Sequence, residues 1–229
     1  MRALIAFDLD GVIYSSEPFL GEAYREAIAN VNAQRPNAFP RVPSTREILD
    51  HVGWPVPVIL ARLFPNIDRA AVDLLYAETL TVICAKVARG EGILFSGVAE
   101  TLACLQASGF LLAVASNGRR RYVETVLSSN RIARHFTAVI TVDSGPINDK
   151  EQILHAYVER HGLTPQQIVM IGDRVSDVEA AVAVGCHFIG CDYGHGYRSE
   201  IEGAGPVVST FDELPDVIAA ILGTGRRQL

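Results

Sequence analysis

Apolar residues in this chain gather into short uninterrupted runs, and longer stretches with helical spacing separate the runs. Ala3 to Phe7, Phe110 to Ala115, Thr137 to Val142, Ile168 to Ile171 and His187 to Cys191 have the length and apolar character of strands buried on both faces. Between them Val98 to Ala107, Arg120 to Ser129, Lys150 to His161 and Ser176 to Val184 read as helices, with Gly109, Gly162 and Gly185 as terminators. Pro206 to Ser209 predicts a last short strand and Phe211 to Leu222 a last helix. The alternation predicts an α/β fold, a Rossmann-like doubly wound parallel sheet covered on both sides.

One connection is too long for that scheme. A crossover needs about a dozen residues, whereas Gly11 to Phe110 is far longer. The excess predicts helices at Glu17 to Asn32, Ser44 to His51, Val56 to Leu63 and Asp68 to Ala88. The second opens on a capping-box pattern, Ser44-Thr45-Arg46-Glu47. Turn formers separate them: Pro36, Pro40 and Pro43, then Gly53 with Pro55, then Pro65-Asn66. The expected organisation is a core domain of residues 1–13 and 96–229 with an all-helical domain, residues 14–95, inserted in its first loop.

Composition narrows the function classes. The 229 residues are 49% apolar and carry a net charge of −6, with Arg119-Arg120-Arg121 as the densest basic cluster. No nucleic-acid partner is expected. No apolar run approaches the roughly 18 to 20 residues that span a bilayer, and the acidic residues near the start are unlike a secretory signal. A cytoplasmic protein without membrane attachment is expected, as a monomer or homodimer. Cys84, Cys104, Cys186 and Cys191 lie at irregular spacings in apolar stretches and read as reduced core residues. Cys186, His187, Cys191, Asp192 and His195 could be imagined as zinc ligands, but neighbours on a strand point to opposite faces and diverge.

The unusual polar residues stand where the strands end. Ligands of open parallel sheets bind beyond the carboxyl ends of the strands. There the sequence places Asp8-Leu9-Asp10-Gly11, Ser116-Asn117-Gly118 and Gly172-Asp173-Arg174-Val175-Ser176-Asp177. If the first strand is central, these groups share one rim. Crowded carboxylates at Asp8, Asp10, Asp173 and Asp177 repel one another unless a hard divalent cation joins them, and magnesium suits such a site. The Ser116 hydroxyl and the N–H groups of Asn117 and Gly118 suit an anionic oxygen, with phosphate the leading candidate. Only two of the 20 basic residues are lysines, Lys86 and Lys150. A lysine at the loop before a core helix therefore stands out, because its compact charge can touch a carboxylate and a phosphate together.

With these motifs in order, the chain resembles the haloacid dehalogenase superfamily of phosphohydrolases and, within it, the phosphoglycolate phosphatase-like group. "DLDGV", "ASNG", Lys150 and "GDRVSD" resemble its four motifs, while "VGWP" and "IGCDYGHG" resemble features of that group; Glu151 stands where many relatives have proline. The resemblance implies a magnesium-dependent phosphatase acting on a small phosphorylated metabolite, phosphoglycolate first. Asp8 would be the nucleophile and Asp10 the general acid and base. Ser116, Asn117 and Lys150 would hold the phosphate, and Asp8, the Asp10 carbonyl, Asp173 and Asp177 the metal. Two alternatives stand beside it: a sugar phosphomutase of the same superfamily, and a non-catalytic receiver-type phosphorylation switch. Arg25, Arg46 or Arg62 could meet a substrate carboxylate, and Trp54 is expected mainly to pack.

Overall fold

The computed structural model describes residues 2–223; residue 1 and residues 224–229 of the expected core segment lie outside the described residues. In chain order the elements are β1 (Leu4–Phe7), β2 (Tyr14–Ser15), α1 (Glu17–Gln34), α2 (Thr45–Leu49), α3 (Val56–Leu63), α4 (Arg69–Ala88), β3 (Ile93–Leu94), α5 (Val98–Ala107), β4 (Leu111–Ser116), α6 (Arg120–Ser129), β5 (Ala138–Thr141), α7 (Lys150–His161), β6 (Ile168–Gly172), α8 (Val175–Val184), β7 (His187–Cys191), α9 (Arg198–Ile201), β8 (Val207–Val208) and α10 (Leu214–Ile221). Six strands form a parallel sheet in the order β5-β4-β1-β6-β7-β8. The first strand is central, flanked by β4 and β6.

The sheet separates two apolar clusters, and the two-residue period of a strand decides which side chain joins which. Ile5 and Phe7 of β1 and Val169 and Ile171 of β6 join the cluster that includes α5, α6 and α10. Leu4, Ala6, Ile168 and Met170 join the other, beneath α7 and α8. The first cluster continues without a break into α1 to α4 through Phe19, Ala23, Ile48, Leu60 and Leu75. Phe7 is fully buried, stacked on Phe211 at 5.8 Å and edge-on to Phe136 at 6.2 Å. Phe7→Ala should therefore lower unfolding stability by about 3–5 kcal/mol, the usual cost of truncating a core phenylalanine. Urea denaturation checks this, and a loss below about 1 kcal/mol would contradict the packing role.

Several boundaries differ from the sequence expectation for local reasons. Asp68 is the N-cap of α4, its carboxylate accepting from the Ala71 N–H, so it precedes the helix. Ser44 likewise caps α2 with the expected reciprocal Glu47 contact. The last helix is split: a 3-10 turn over Phe211–Glu213 precedes α10. The pairing of β2 with β3, a two-residue antiparallel ribbon where the chain leaves and rejoins the sheet, has no sequence signal at that length. Cys104 is exposed on the outer face of α5, which corrects its reading as a core residue.

Candidate active site

Because β1 lies between β4 and β6, the chain segments that follow these three strands meet at one edge of the sheet. Asp8 follows β1, Ser116 ends β4, and Asp173 follows β6. Lys150 opens α7 after β5. Asp8, Lys150, Asp173 and Asp177 are at most 4% exposed. The expected residues therefore do converge, in a nearly dry environment.

Asp8, Asp173 and Asp177 each offer a carboxylate oxygen within 4.8 Å of the other two. Asp8 Oδ1 accepts from the Leu9 N–H at 2.8 Å, and its Oδ2 lies 3.0 Å from Lys150 Nζ. Lys150 Nζ also donates to Asp177 Oδ1. The second oxygen of Asp177 accepts from the N–H groups of Asp173 and Arg174, at 3.1 and 3.0 Å. Both Asp177 oxygens are thus committed. Asp173 differs: Oδ2 accepts from the His195 and Gly196 N–H groups, at 2.8 and 3.0 Å, while Oδ1 is buried without a partner.

Electrostatics show which kind of ion this cluster suits. Burial, with the like charge of Asp177, pushes Asp8 up to about 7 against the pull of Lys150. Burial, then Asp177 and Asp8, raise Asp173 well above the ordinary carboxylate range. For Lys150 burial opposes the charge, but Asp177 and Asp8 outweigh it and the net shift is upward. Three buried carboxylates with one ammonium, and one oxygen left unpaired, fit a hard divalent cation. Gly11, at φ 82°, follows the acidic pair in a left-handed conformation, and a side chain there would collide with the Asp173 carboxylate.

Asp10 stands apart from the three-acid group. Its Oδ1 accepts from Ser16 Oγ at 2.9 Å and from Tyr122 Oη at 2.7 Å. Burial raises its pKa, with His195, Tyr122 and Ser16 opposing. His195 is itself tied to Ser15 Oγ through Nε2 at 3.0 Å, with Nδ1 buried and unpaired, and burial lowers its pKa. Tyr122 and Ser16 carry no motif signal, and His195, although inside the "IGCDYGHG" stretch, gave no sign in sequence of bearing on Asp10.

Asp8, Asp10, Ser116 and Asn117 line one cavity of about 90 Å³, roofed by residues of α1 to α4 and by Gly53-Trp54. Ser116 Oγ accepts from the Gly118 N–H at 3.0 Å. That N–H is therefore turned inward, contrary to the expectation that it faces an anion, whereas the Ser116 hydroxyl proton remains able to donate. Asn117 Nδ2 donates to the Gly53 carbonyl at 2.7 Å, and Ser176 Oγ reaches the same oxygen at 3.3 Å. Gly53 has φ 102°, and a side chain there would meet Arg174. Arg174 donates to the Leu49 and Asp50 carbonyls, at 3.2 and 3.1 Å, and pairs with Glu200 at 3.1 Å.

The three arginines considered from sequence do not reach this cavity. Arg25 is exposed, Arg46 pairs with Asp50 and Tyr197, and Arg62 stacks on Trp54 at 4.5 Å. Trp54 both lines the cavity and packs against the apolar cluster. Arg119, read from sequence only as part of a charge cluster, is buried and lines the cavity.

Comparison with known proteins agrees with this geometry. The family model described as haloacid dehalogenase-like hydrolase matches residues 3–185. The phosphoglycolate phosphatase of Vibrio cholerae serotype O1 is 33% identical over 215 residues, 89% of this chain and 90% of that protein. That of Photobacterium profundum is 29% identical, covering 93% of this chain and 94% of that protein. Among solved structures, a predicted phosphoglycolate phosphatase from Haemophilus somnus 129pt shares the fold at TM-score 0.83 and 24% identity, over 95% of this chain and 98% of that one. The chain belongs to the haloacid dehalogenase-like hydrolases. Within them it falls in the phosphoglycolate phosphatase-like group and is a phosphoric monoester hydrolase. Among the described residues no helix is long and apolar enough to cross a membrane.

Proposed function

We propose that this phosphatase hydrolyses phosphoglycolate, or a small phosphate monoester close to it, with magnesium and through a phosphorylated Asp8. The observation that carries the reading is the group of three buried carboxylates with Asp173 Oδ1 unpaired beside the Asp8–Lys150 contact. The activity named for the Vibrio and Photobacterium relatives supports the substrate. Residues 14–95 act as the cap over a core of 1–13 and 96–229, and the enzyme works in the cytoplasm as a monomer or homodimer.

In the first step Asp8 attacks phosphorus, the ester P–O bond breaks, and the leaving oxygen takes a proton from Asp10. Ser16 and Tyr122 hold Asp10 by Oδ1, so the proton exchange is assigned to Oδ2, and the raised pKa of a buried acid suits a donor. In the second step water attacks the aspartyl phosphate, loses its proton to Asp10 and restores the Asp8 carboxylate. Lys150, the Ser116 hydroxyl and the Asn117 main-chain N–H hold the nonbridging oxygens. Asp8, Asp173, the Asp10 carbonyl and, behind them, Asp177 would hold magnesium, which when bound neutralises the charge shared by carboxylates and phosphate.

Phosphate release from a panel of phosphoglycolate, a hexose phosphate and an aryl phosphate tests the reading. Phosphoglycolate should give the highest kcat/KM, and Asp10→Asn should lower its turnover by about 10²- to 10⁴-fold while phosphorylated enzyme accumulates in rapid quench. Phosphoryl migration on the hexose without release would indicate a mutase, and a long-lived phosphoenzyme in the wild type a switch.

A further inference from the structure

Arg119 differs from its two neighbours in sequence. Arg120 and Arg121 are exposed, whereas Arg119 is 6% exposed. It follows the Ser116-Asn117-Gly118 turn at the N-cap of α6, and its side chain crosses to α4. There Nη1 donates to the Tyr76 carbonyl, Nη2 lies 3.3 Å from Thr79 Oγ1, and the guanidinium covers the Tyr76 ring at 4.2 Å. None of these partners is an anion. Burial lowers its pKa, with Tyr76, Tyr24 and Cys84 opposing. A guanidinium nevertheless stays protonated in a protein, and a buried cation without a counter-charge is costly to keep. Two of its N–H groups are engaged, which leaves part of the planar fork for a ligand.

Arg119 lines the same cavity as Asp8 and Asp10, and much of the remaining wall is apolar, including Leu20, Ile48, Ile59 and Ile83. Such a wall cannot orient a small polar molecule, and the two acids repel a second anionic group. We propose that Arg119 binds a carboxylate carried by the substrate, so that the enzyme selects small phosphate monoesters with a carboxylate close to the phosphate. This rests on the phosphatase reading and names the residue and chemical group by which that site chooses its substrate. Pairing at Arg119 directs the other end of the molecule, the phosphate, towards Asp8.

Two measurements test it. Isothermal calorimetry with magnesium compares phosphonoacetate, which carries a carboxylate and is not a phosphate ester, with ethylphosphonate, which carries none. Wild type should bind phosphonoacetate roughly 10- to 100-fold more tightly, the range of a charge-assisted hydrogen-bonded contact, and Arg119→Met should remove most of that ratio. In turnover, kcat/KM for phosphoglycolate relative to ethyl phosphate should fall by a similar factor in Arg119→Met and less in Arg119→Lys. Equal losses on both substrates would make Arg119 a structural clasp and overturn the proposal, as would a wild type with no preference between the phosphonates. That wild-type comparison stands even if the variants do not fold. A phosphonate preference lost in Arg119→Met, with no hydrolysis of either ester by wild type, would uphold the carboxylate site and count against the phosphatase reading alone.

Discussion

Asp8→Asn should lower turnover of every phosphate monoester by on the order of 10⁴-fold or more, the scale seen when a covalent nucleophile is removed. The amide keeps the size and planarity of the carboxylate. Its carbonyl oxygen can still accept from the Leu9 N–H, as Asp8 Oδ1 does. What disappears is the anionic oxygen that faces Lys150 at 3.0 Å. The fold should survive, since the substitution also relieves repulsion between Asp8 and Asp177, one of the causes that raise the Asp8 pKa. Phosphate release together with a thermal melt checks both halves. Near-normal turnover in a folded variant would sink the covalent mechanism.

Chelation of magnesium should reduce activity by about 10³-fold or more, because a bound cation supplies several kcal/mol of charge stabilisation in phosphoryl transfer. Added magnesium should restore it, and calcium should do so poorly, since its longer and looser coordination disturbs in-line geometry. The two acids after β6 should then separate by role. Asp173→Ala should raise the magnesium concentration needed for half-maximal activity more than Asp177→Ala. Asp173 has a free oxygen, whereas both oxygens of Asp177 serve Lys150 and the main-chain N–H groups of Asp173 and Arg174. Asp177→Ala should instead show as a lower melting temperature. Full activity in chelator would refute the metal requirement, and equal magnesium shifts the division of labour.

The sheet was legible because parallel strands buried on both faces must be apolar throughout, and the runs around Ile5, Val114 and Met170 meet that demand. The rim residues were legible because each follows such a run. Lysine scarcity pointed to Lys150, yet Lys86 is just as buried, at 3% exposure, among Glu22, Glu26 and Glu91, so scarcity marked burial more than catalysis. Tyr122 was not legible because it reaches Asp10 across the fold, Ser16 because a nearby hydroxyl carries no pattern, and His195 because it bears on Asp10 only through its charge. Arg119 was hidden for a related reason. Three adjacent arginines on an amphipathic helix start look alike in sequence, and only the proximity of α4 buries the first. Gly118 misled because a Ser-Asn-Gly turn specifies where the chain bends, not which acceptor its N–H groups meet.

Several of the polar contacts that core side chains make with residues 49–76 end on main-chain oxygens. Arg174 reaches the carbonyls of Leu49 and Asp50, Asn117 and Ser176 share that of Gly53, and Arg119 takes that of Tyr76. A carbonyl is the same in every amino acid. Provided the backbone path is kept, these hydrogen bonds therefore survive exchange of the Leu49, Asp50 and Tyr76 side chains, although a change at Tyr76 also removes the ring beneath Arg119, and the lining of the cavity can drift or be engineered while its roof stays registered on the rim. Docking is thereby separable from most of the lining, and directed evolution of this enzyme towards new esters should begin on Ile48, Val56, Ile59, Leu80 and Ile83, with Arg119 changed only where the carboxylate itself is to be given up.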